Sequence, residues 1–194
     1  MVLTKKVIII TGASSGIGLA TAKLFSQKGA RLALVARSLH KLKKLAATLP
    51  DSIAIKTDMT KPVEIRSMVK SVIPYLRKQG GGAIVNISSG TTLMNLPTMS
   101  PYASIKTALN ALSLTAREEL KQDKITDSLV YPYITATNFE KNTFSWPENR
   151  QWKDDGRNRP PADPPEHIAR KILETVETGK PEIFAHEWMG KKRV

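Results

Sequence analysis

The hydrophobic positions of this chain form short apolar runs that alternate with longer segments of helical period. Apolar runs of strand length lie at 7–10, 31–35, 53–55, 83–87, 129–131 and 183–184. Segments in which apolar residues recur every three or four positions predict helices at 17–29, 38–50, 61–79, 103–120 and 163–179. Asp163 and Glu166 have the spacing of a capping box at the start of the last helix.

This alternation of strand and helix predicts an α/β fold. Consecutive strand–helix–strand units build a parallel sheet with helices on both faces, the doubly wound arrangement. A length of 194 residues fits one domain spanning 1–194. The stretch 133–163 is polar and has no sustained period, so it is either a lid over a substrate pocket or a surface loop.

Composition excludes several kinds of site. The sequence has no cysteine, which removes disulfides, thiolate metal ligands and cysteine nucleophiles. Its three histidines, His40, His167 and His186, are scattered along the chain, and from this spacing we expect no metal site. No apolar run is long enough to cross a bilayer, and the first residues do not resemble an export signal, so we expect a cytoplasmic protein.

The formal net charge of +13 suits nucleic acid, an anionic membrane surface or an anionic small ligand, and charge alone does not choose among them. The basic clusters at 41–44 and 191–193 lie beside apolar helix positions or at the terminus, which favours solvated surfaces. The sequence has no recognised nucleic-acid-binding motif. We therefore expect no nucleic-acid partner.

A glycine-rich turn, Thr-Gly-Ala-Ser-Ser-Gly-Ile-Gly at 11–18, lies between the first strand and the first helix. Backbone N–H groups of such a turn and the positive end of the helix dipole can hold a pyrophosphate. Gly12 allows the tight turn, Gly16 allows phosphate to approach the backbone, and Gly18 allows the helix to pack closely on the sheet. The cofactor-binding residues expected here are Gly12, Ser14, Ser15, Gly16, Ile17 and Gly18.

The end of the second strand bears on which dinucleotide binds. An acidic residue about 20 positions after the glycines would bind a free ribose 2′-hydroxyl. This chain has Arg37 and Ser38 there, and an arginine can pair with a 2′-phosphate, so we expect NADP(H) rather than NAD(H). Asp58, just past the third strand, either accepts a hydrogen bond from the adenine amino group or caps the next helix, or does both.

Tyr102 and Lys106 are four residues apart at the start of the long helix, so they share one face. A phenol ionises near pH 10, and lowering its pKa by about three units takes roughly 4 kcal/mol, which a nearby ammonium and an oxidised nicotinamide could supply together. Tyr102 could then exchange a proton with a carbonyl or alcohol oxygen. Ser89, after the strand at 83–87, could hydrogen-bond the same oxygen, with Ser88 as the less favoured neighbour.

Four motifs, in this order, resemble those of the short-chain dehydrogenase/reductase family. They are Thr-Gly-x-x-x-Gly-x-Gly at 11–18, Asn-Ile-Ser-Ser at 86–89, Tyr-Ala-Ser-Ile-Lys at 102–106 and Pro-x-x-x-x-Thr at 132–137. The resemblance implies a Rossmann-like fold and an NADP(H)-dependent oxidoreductase that transfers hydride between the nicotinamide and a carbonyl or alcohol carbon. We also expect a homodimer or homotetramer.

The same resemblance assigns roles to the residues that match its motifs. It implies that Ser89 orients the substrate and that Tyr102 is the acid/base. Lys106 would hold the nicotinamide ribose and lower the pKa of the tyrosine. Contacts to the carboxamide end of the cofactor would come from the segment that contains Pro132, Ile134 and Thr137. In this segment a tyrosine at position 133 replaces the glycine that usually follows the proline.

The chain departs from the family pattern between 58 and 83. The family has there a strand ending in Asn-Asn-Ala-Gly and a helix with a catalytic asparagine, whereas this stretch has room for one helix. The absent strand is the fourth of the sheet and lies between the first and the fifth, so its loss predicts two buried edges with unpaired backbone groups. Two alternatives remain: an oxidoreductase chain that lacks an internal segment, or a noncatalytic NADP-binding regulator.

Five apolar positions of helical spacing fall in this stretch, namely Ile65, Met68, Val69, Val72 and Leu76. The spacing alone indicates one helix. The resemblance instead makes the first half the start of one helix and the second half the end of another. We therefore expect an interruption of the chain between 65 and 72, close to Lys70 and Ser71, where residues are absent.

Overall fold

The computed structural model of the protein describes residues 3–139 and 161–191, without the side chains at 65, 68, 69 and 71. The strands are β1 (Val7–Thr11), β2 (Arg31–Ala36), β3 (Ser52–Lys56), β4 (Gly82–Ile87), β5 (Ile125–Tyr131) and β6 (Glu182–Phe184). The helices are α1 (Gly16–Gln27), α2 (Leu39–Ala46), α3 (Pro62–Lys78), α4 (Ser100–Glu119), α5 (Pro165–Thr178) and α6 (Glu187–Gly190). Every predicted element is present, and α6 is additional. Most of the predicted lid or loop at 133–163, namely 140–160, lies outside the described residues.

The strands form two parallel sheets of three strands each, in the orders β1-β2-β3 and β4-β5-β6. The predicted α/β Rossmann-like class, with parallel strands in a single domain, is confirmed. The continuous sheet of that class is divided where its fourth strand would lie. Among the described residues, no strand pairs with the second edge of β1 or with that of β4.

One face of β1 is open to solvent. Val7 and Ile9, which lie two residues apart on that face, are 45% and 40% exposed, and most of β4 is half-buried. The unpaired edges that the absent strand predicts are present at β1 and β4 within the described residues. The burial of these edges stays a prediction.

Helix α3 runs without interruption from Pro62 to Lys78 and joins β3 to β4. The predicted interruption between 65 and 72 is wrong, because the helix continues through Lys70 and Ser71. The absence of the strand therefore divides the sheet between β1 and β4, whereas helix α3 is continuous.

One hydrophobic core holds the two sheets together. Leu34 of β2 and Leu129 of β5 are fully buried in the same cluster of apolar side chains. α1 packs against α5, and these helices contribute Phe25 and Ile168 to that cluster. Complete burial of such a side chain stabilises a fold by about 1.5–3 kcal/mol. Side-chain packing therefore joins the sheets where no backbone ladder connects them in the described residues.

The start of α5 differs from the predicted capping box. The N-cap position is occupied by Pro164, and no side chain caps the first N–H groups. The carboxylate of Asp163 pairs instead with His186, whose Nε2 lies 2.9 Å from Oδ2. The end of the helix agrees with the pattern, since Gly179 has a φ of 65° and closes the last turn.

Candidate active site

The glycine-rich turn connects β1 to α1, and glycine is required at three of its positions. Gly12 and Gly16 have φ values of 67° and 52°, in the left-handed region that other residues rarely adopt. A Cβ atom on Gly18 would lie 2.4 Å from the carbonyl oxygen of Gly12, so a larger residue would push α1 away from the turn. A Cβ atom on Gly16 would lie 3.0 Å from Cγ2 of Thr137. The tight turn at Gly12 and the close packing at Gly18 agree with the reasons predicted for these two glycines, and the approach of phosphate at Gly16 stays a prediction.

Ser14, Ser15 and Ile17 complete the turn. Ser15 is the N-cap of α1, and its side chain makes no capping hydrogen bond. Ser14 is half-buried between the glycines, and Ile17 packs against the hydrophobic core and fixes the first turn of the helix. The backbone N–H groups and the positive end of the α1 dipole therefore have the arrangement that suits a pyrophosphate.

An open cleft of about 470 Å³ lies between this turn and the segment that follows β5. Gly16 lines it from the side of the first sheet, and Thr137 lines it from the side of the second. Lys23 and Glu166 add one positive and one negative side chain to its wall. Two predicted cofactor-binding residues that are far apart in sequence thus face the same cleft.

The predicted adenosine-ribose end of the site lies at the ends of β2 and β3. Arg37 is exposed directly after β2, and Ser38 is the N-cap of α2 without a capping hydrogen bond. Oδ1 of Asp58 accepts hydrogen bonds from the Thr60 N–H at 3.0 Å and from its hydroxyl at 2.8 Å. These bonds, with a smaller contribution from the charge of Arg37, lower the pKa of the Asp58 carboxyl. Asp58 therefore orders the turn before α3 and has Arg37 as a nearby counter-charge.

Ser89, Tyr102 and Lys106 come together where β4 leads into α4. The Ser89 side chain lies near enough to Tyr102 to influence its pKa, and its oxygen accepts from the Thr91 N–H at 3.2 Å and from the Thr91 hydroxyl at 3.0 Å. Lys106 follows one helical turn after Tyr102, and its Nζ lies 5.9 Å from the centroid of the tyrosine ring. The structure therefore brings the three predicted catalytic residues into one cluster.

Burial sets the pKa values of this pair. Burial raises the pKa of Tyr102, and the neighbouring hydroxyl of Ser89 offsets part of this effect. Burial also lowers the pKa of Lys106, whose ammonium donates a hydrogen bond to the carbonyl oxygen of Ile87 at 2.8 Å. The direction for Tyr102 is opposite to the one that the resemblance implies, because desolvation is here the largest influence on the phenol.

The segment after β5 places Pro132, Ile134 and Thr137 beside these residues. The carbonyl oxygen of Pro132 accepts from the Gly90 N–H at 2.8 Å, which ties the segment to the residue that follows Ser89. Ile134 is 42% exposed, and Thr137 packs against Gly16 in the wall of the cleft. The segment therefore reaches from the serine–tyrosine cluster to the glycine-rich turn.

Two further residues of this region were not predicted. The Phe139 ring lies 5.7 Å from the Tyr102 ring and covers it from the side of the cleft segment. Asn110 lies one turn beyond Lys106, and its Oδ1 accepts a hydrogen bond from Ser88 Oγ at 2.5 Å. The positions 102, 106 and 110 follow a period of four, so helical spacing was the signal that could have identified Asn110.

Two of the three histidines converge on Asp163. One ring nitrogen each of His167 and His186 and one carboxylate oxygen of Asp163 all lie within 4.8 Å of one another. The expectation that the histidines form no cluster of potential metal ligands is therefore wrong. Its reason is topological: β6 pairs with β5 and brings the residues that follow it back to the start of α5.

The model of the short chain dehydrogenase family matches this chain in two segments, 6–73 and 63–148. The segments overlap at 63–73, so this part of α3 is matched twice. The double match agrees with the departure seen in the sequence, in which α3 takes the place of parts of two family helices.

Two curated relatives show the same departure. An uncharacterized oxidoreductase of Staphylococcus saprophyticus is 30% identical over 164 residues, which cover 59% of this chain and 67% of the relative. The 11-beta-hydroxysteroid dehydrogenase B of Sesamum indicum is 26% identical over 242 residues, which cover 96% of this chain and 66% of the relative. That alignment is longer than the 194 residues of this chain, so the relative contains internal residues that are absent here. The chain spans about two thirds of the length of these relatives.

A solved structure with a similar fold is a short chain dehydrogenase/reductase from Burkholderia phymatum in complex with NAD. The TM-score is 0.81 at 18% identity, and the match covers 100% of this chain and 93% of that one. At this level of identity the likeness concerns the fold alone. It supports the parallel α/β arrangement described above.

Proposed function

Because the chain belongs to the short-chain dehydrogenase family, we propose that it is an NADP(H)-dependent oxidoreductase acting on carbonyl or alcohol substrates. The observation that carries this proposal is the convergence of three side chains: Ser89 lies beside Tyr102, and the ammonium of Lys106 lies one helical turn away, 5.9 Å from the centroid of the tyrosine ring. When bound, the nicotinamide supplies or accepts the hydride of such a reaction. The residues of the chain then have to deliver or remove one proton at the substrate oxygen.

The residues that would hold the cofactor fit it. A Cβ atom on Gly12 would meet no atom within 4 Å, so there is open space beside the turn in which backbone N–H groups can hold a pyrophosphate. Thr137 packs against Gly16 beside this turn. Arg37 lies at the other end, after β2.

Tyr102 is the proton carrier of the proposed reaction. In the reducing direction its hydroxyl donates a proton to the carbonyl oxygen, and in the oxidising direction the phenolate accepts the alcohol proton. The raised pKa keeps the hydroxyl protonated in neutral solution, which suits a donor. Ser89 donates a hydrogen bond to the same oxygen, and the positive charge of Lys106 stabilises the phenolate that remains.

The preference for NADP(H) over NAD(H) rests on Arg37. Its guanidinium is exposed at the end of β2 and can form charge-assisted hydrogen bonds with a 2′-phosphate. Asp58 is the nearby acidic group, but one of its oxygens already accepts two hydrogen bonds from Thr60. The similar structure from Burkholderia phymatum is in complex with NAD, so the fold alone does not decide the cofactor and the local charge has to.

A homodimer or homotetramer is part of the proposal. Ile105 and Leu112 are 70% and 67% exposed on α4, and their spacing of two turns places them on one face. Exposed apolar side chains on one face are typical of association surfaces.

We propose the cytoplasm as the compartment. Within the ranges that the structure describes, no helix combines the length and apolarity needed to cross a membrane.

A noncatalytic NADP-binding regulator is the second candidate, and the divided sheet favours it. The glycine-rich turn follows β1, whereas Ser89 follows β4, so the two parts of the site belong to different sheets. An assay of NADPH binding and of NADPH consumption with a panel of ketones and aldehydes separates the candidates. Consumption that depends on the substrate supports the oxidoreductase, and binding without consumption supports the regulator.

A further inference from the structure

The cluster formed by Asp163, His167 and His186 lies at the base of the segment that joins β5 to α5. The Asp163 N–H donates to the carbonyl oxygen of Ile134 at 2.8 Å, and the Asp163 carbonyl oxygen accepts from the Ala136 N–H at 2.9 Å. These two bonds form a short parallel bridge beside Thr135. The backbone of Asp163 is therefore fixed against the segment that lines the cleft.

The two imidazoles are also held in place. Nε2 of His167 lies 2.8 Å from the carbonyl oxygen of Ala185, and a carbonyl only accepts, so this nitrogen carries the proton and the neutral ring keeps its lone pair on Nδ1. The His167 and His186 rings stack with centroids 5.4 Å apart, and Trp188 stacks on His186 at 6.0 Å. A hydrogen bond from a ligand histidine to a backbone carbonyl is the usual way in which proteins orient an imidazole for a metal.

We propose that Asp163, His167 and His186 form a binding site for one divalent transition-metal ion, with Zn²⁺ as the best-matched ion. Two imidazoles and one carboxylate are a donor set that zinc sites use. The carboxylate of Asp163 is 12% exposed and the His186 ring is 34% exposed, so the site is shielded yet open to an ion from solution. In a chain without cysteine, nitrogen and oxygen ligands are the means of binding such an ion.

The geometry needs only small adjustments to close around an ion. Zinc–nitrogen bonds of about 2.0–2.1 Å place the ligand atoms of a tetrahedral site roughly 3.3 Å apart. Nε2 of His186 and Oδ2 of Asp163 are 2.9 Å apart in a hydrogen bond, and the whole set lies within 4.8 Å. Because an ionised carboxylate only accepts, the Nε2 proton has to leave when an ion binds between these atoms. Movements of the ligand atoms by up to roughly 1.5 Å therefore complete the site. A bound ion would fix Asp163 and, through its two backbone bonds, the segment from Ile134 to Ala136.

The test begins with the protein free of any affinity tag, dialysed against a chelator and then into metal-free buffer. Calorimetric titration with Zn²⁺ is expected to give one saturable site per chain, and Co²⁺ is expected to give the visible absorbance of a four-coordinate complex. His167→Gln and His186→Gln are expected to weaken Zn²⁺ binding at least about tenfold each, because each removes one of three ligands. The matched control is His40→Gln, since His40 is exposed on α2 and lies outside the cluster, and it should bind as the wild type does.

A second measurement needs no variant of the cluster. In nitrogen-15 correlation spectra of the wild-type side chains, Zn²⁺ is expected to shift the ring signals of His167 and His186 and to leave those of His40 unchanged. The absence of saturable binding overturns the proposal, as does a shift confined to His40. These readouts measure metal binding alone, so the outcome is independent of whether the proposed oxidoreductase activity is found.

Discussion

The ammonium nitrogen of Lys106 lies 5.9 Å from the centroid of the Tyr102 ring. The same nitrogen donates to the carbonyl oxygen of Ile87, the last residue of β4. One side chain therefore joins the helix that carries the proton donor to the strand that leads to Ser89. At this distance between Lys106 and Tyr102, burial is the largest influence on the pKa of the tyrosine, and an alkaline titration can measure the result.

Without cofactor, Tyr102 is expected to titrate above its ordinary pKa of 10.0, because burial destabilises the phenolate. The phenolate absorbance of the wild type, minus that of Tyr102→Phe, isolates this one residue during an alkaline titration. Because the folded state favours the neutral phenol, the ionisation of Tyr102 in the unfolded state lowers the free energy of unfolding as the pH rises above 10.0. Tyr102→Phe should remove this share of the loss of stability. A difference curve with its midpoint below 10.0 would show that the Lys106 charge outweighs burial.

The Arg37→Asp variant is expected to reverse the cofactor preference. It removes the partner of the 2′-phosphate and adds a carboxylate that repels it. A charge-assisted hydrogen bond is worth about 1.5–3 kcal/mol, or roughly ten- to hundredfold in Kd for NADPH. Fluorescence titrations with NADPH and NADH measure both affinities. Lys41→Asp makes the same charge change at an exposed position of α2 and should leave the ratio unaltered; an equal effect of both variants would refute the assignment of Arg37.

The Leu112→Glu variant is expected to shift the protein towards monomers. The substitution places a charge on the exposed apolar face of α4, and burying that charge in an interface is costly. Sedimentation velocity measures the distribution of species. Ile53→Glu is a suitable control, because Ile53 is 61% exposed on β3, in the other sheet. A wild type that is already monomeric would remove the basis for this surface as an interface.

Local features of the sequence predicted the elements and the glycine-rich turn. The need for glycine at position 12 arises from its own positive φ, and at position 18 from the nearby carbonyl of Gly12, so the motif alone was enough to assign both. Helix α3 is a similar case. Its apolar spacing indicated one helix and was right, whereas the interruption inferred from the family pattern was wrong, because the fold places the gap between β1 and β4.

Local sequence patterns did not predict the contacts between distant parts of the chain. Asp163 matched a capping box, yet its carboxylate pairs with His186, which only the pairing of β6 with β5 brings near. The direction of the Tyr102 pKa shift also depends on contacts between distant parts of the chain. The tyrosine–lysine spacing was visible in the sequence, but the burial of both side chains depends on the packing of α4 and on Phe139.

The most direct test of the proposed function compares the wild type with Tyr102→Phe, which removes the transferable proton and little else. With NADPH and a panel of carbonyl compounds, the wild type is expected to turn over at least one substrate. Tyr102→Phe is expected to lose about 10²–10⁴-fold in kcat, the usual contribution of a general acid, while its Kd for NADPH stays close to that of the wild type. Lys106→Ala should impair both turnover and NADPH binding. Substantial turnover by Tyr102→Phe, or NADPH binding by the wild type without turnover of any carbonyl, would contradict the account.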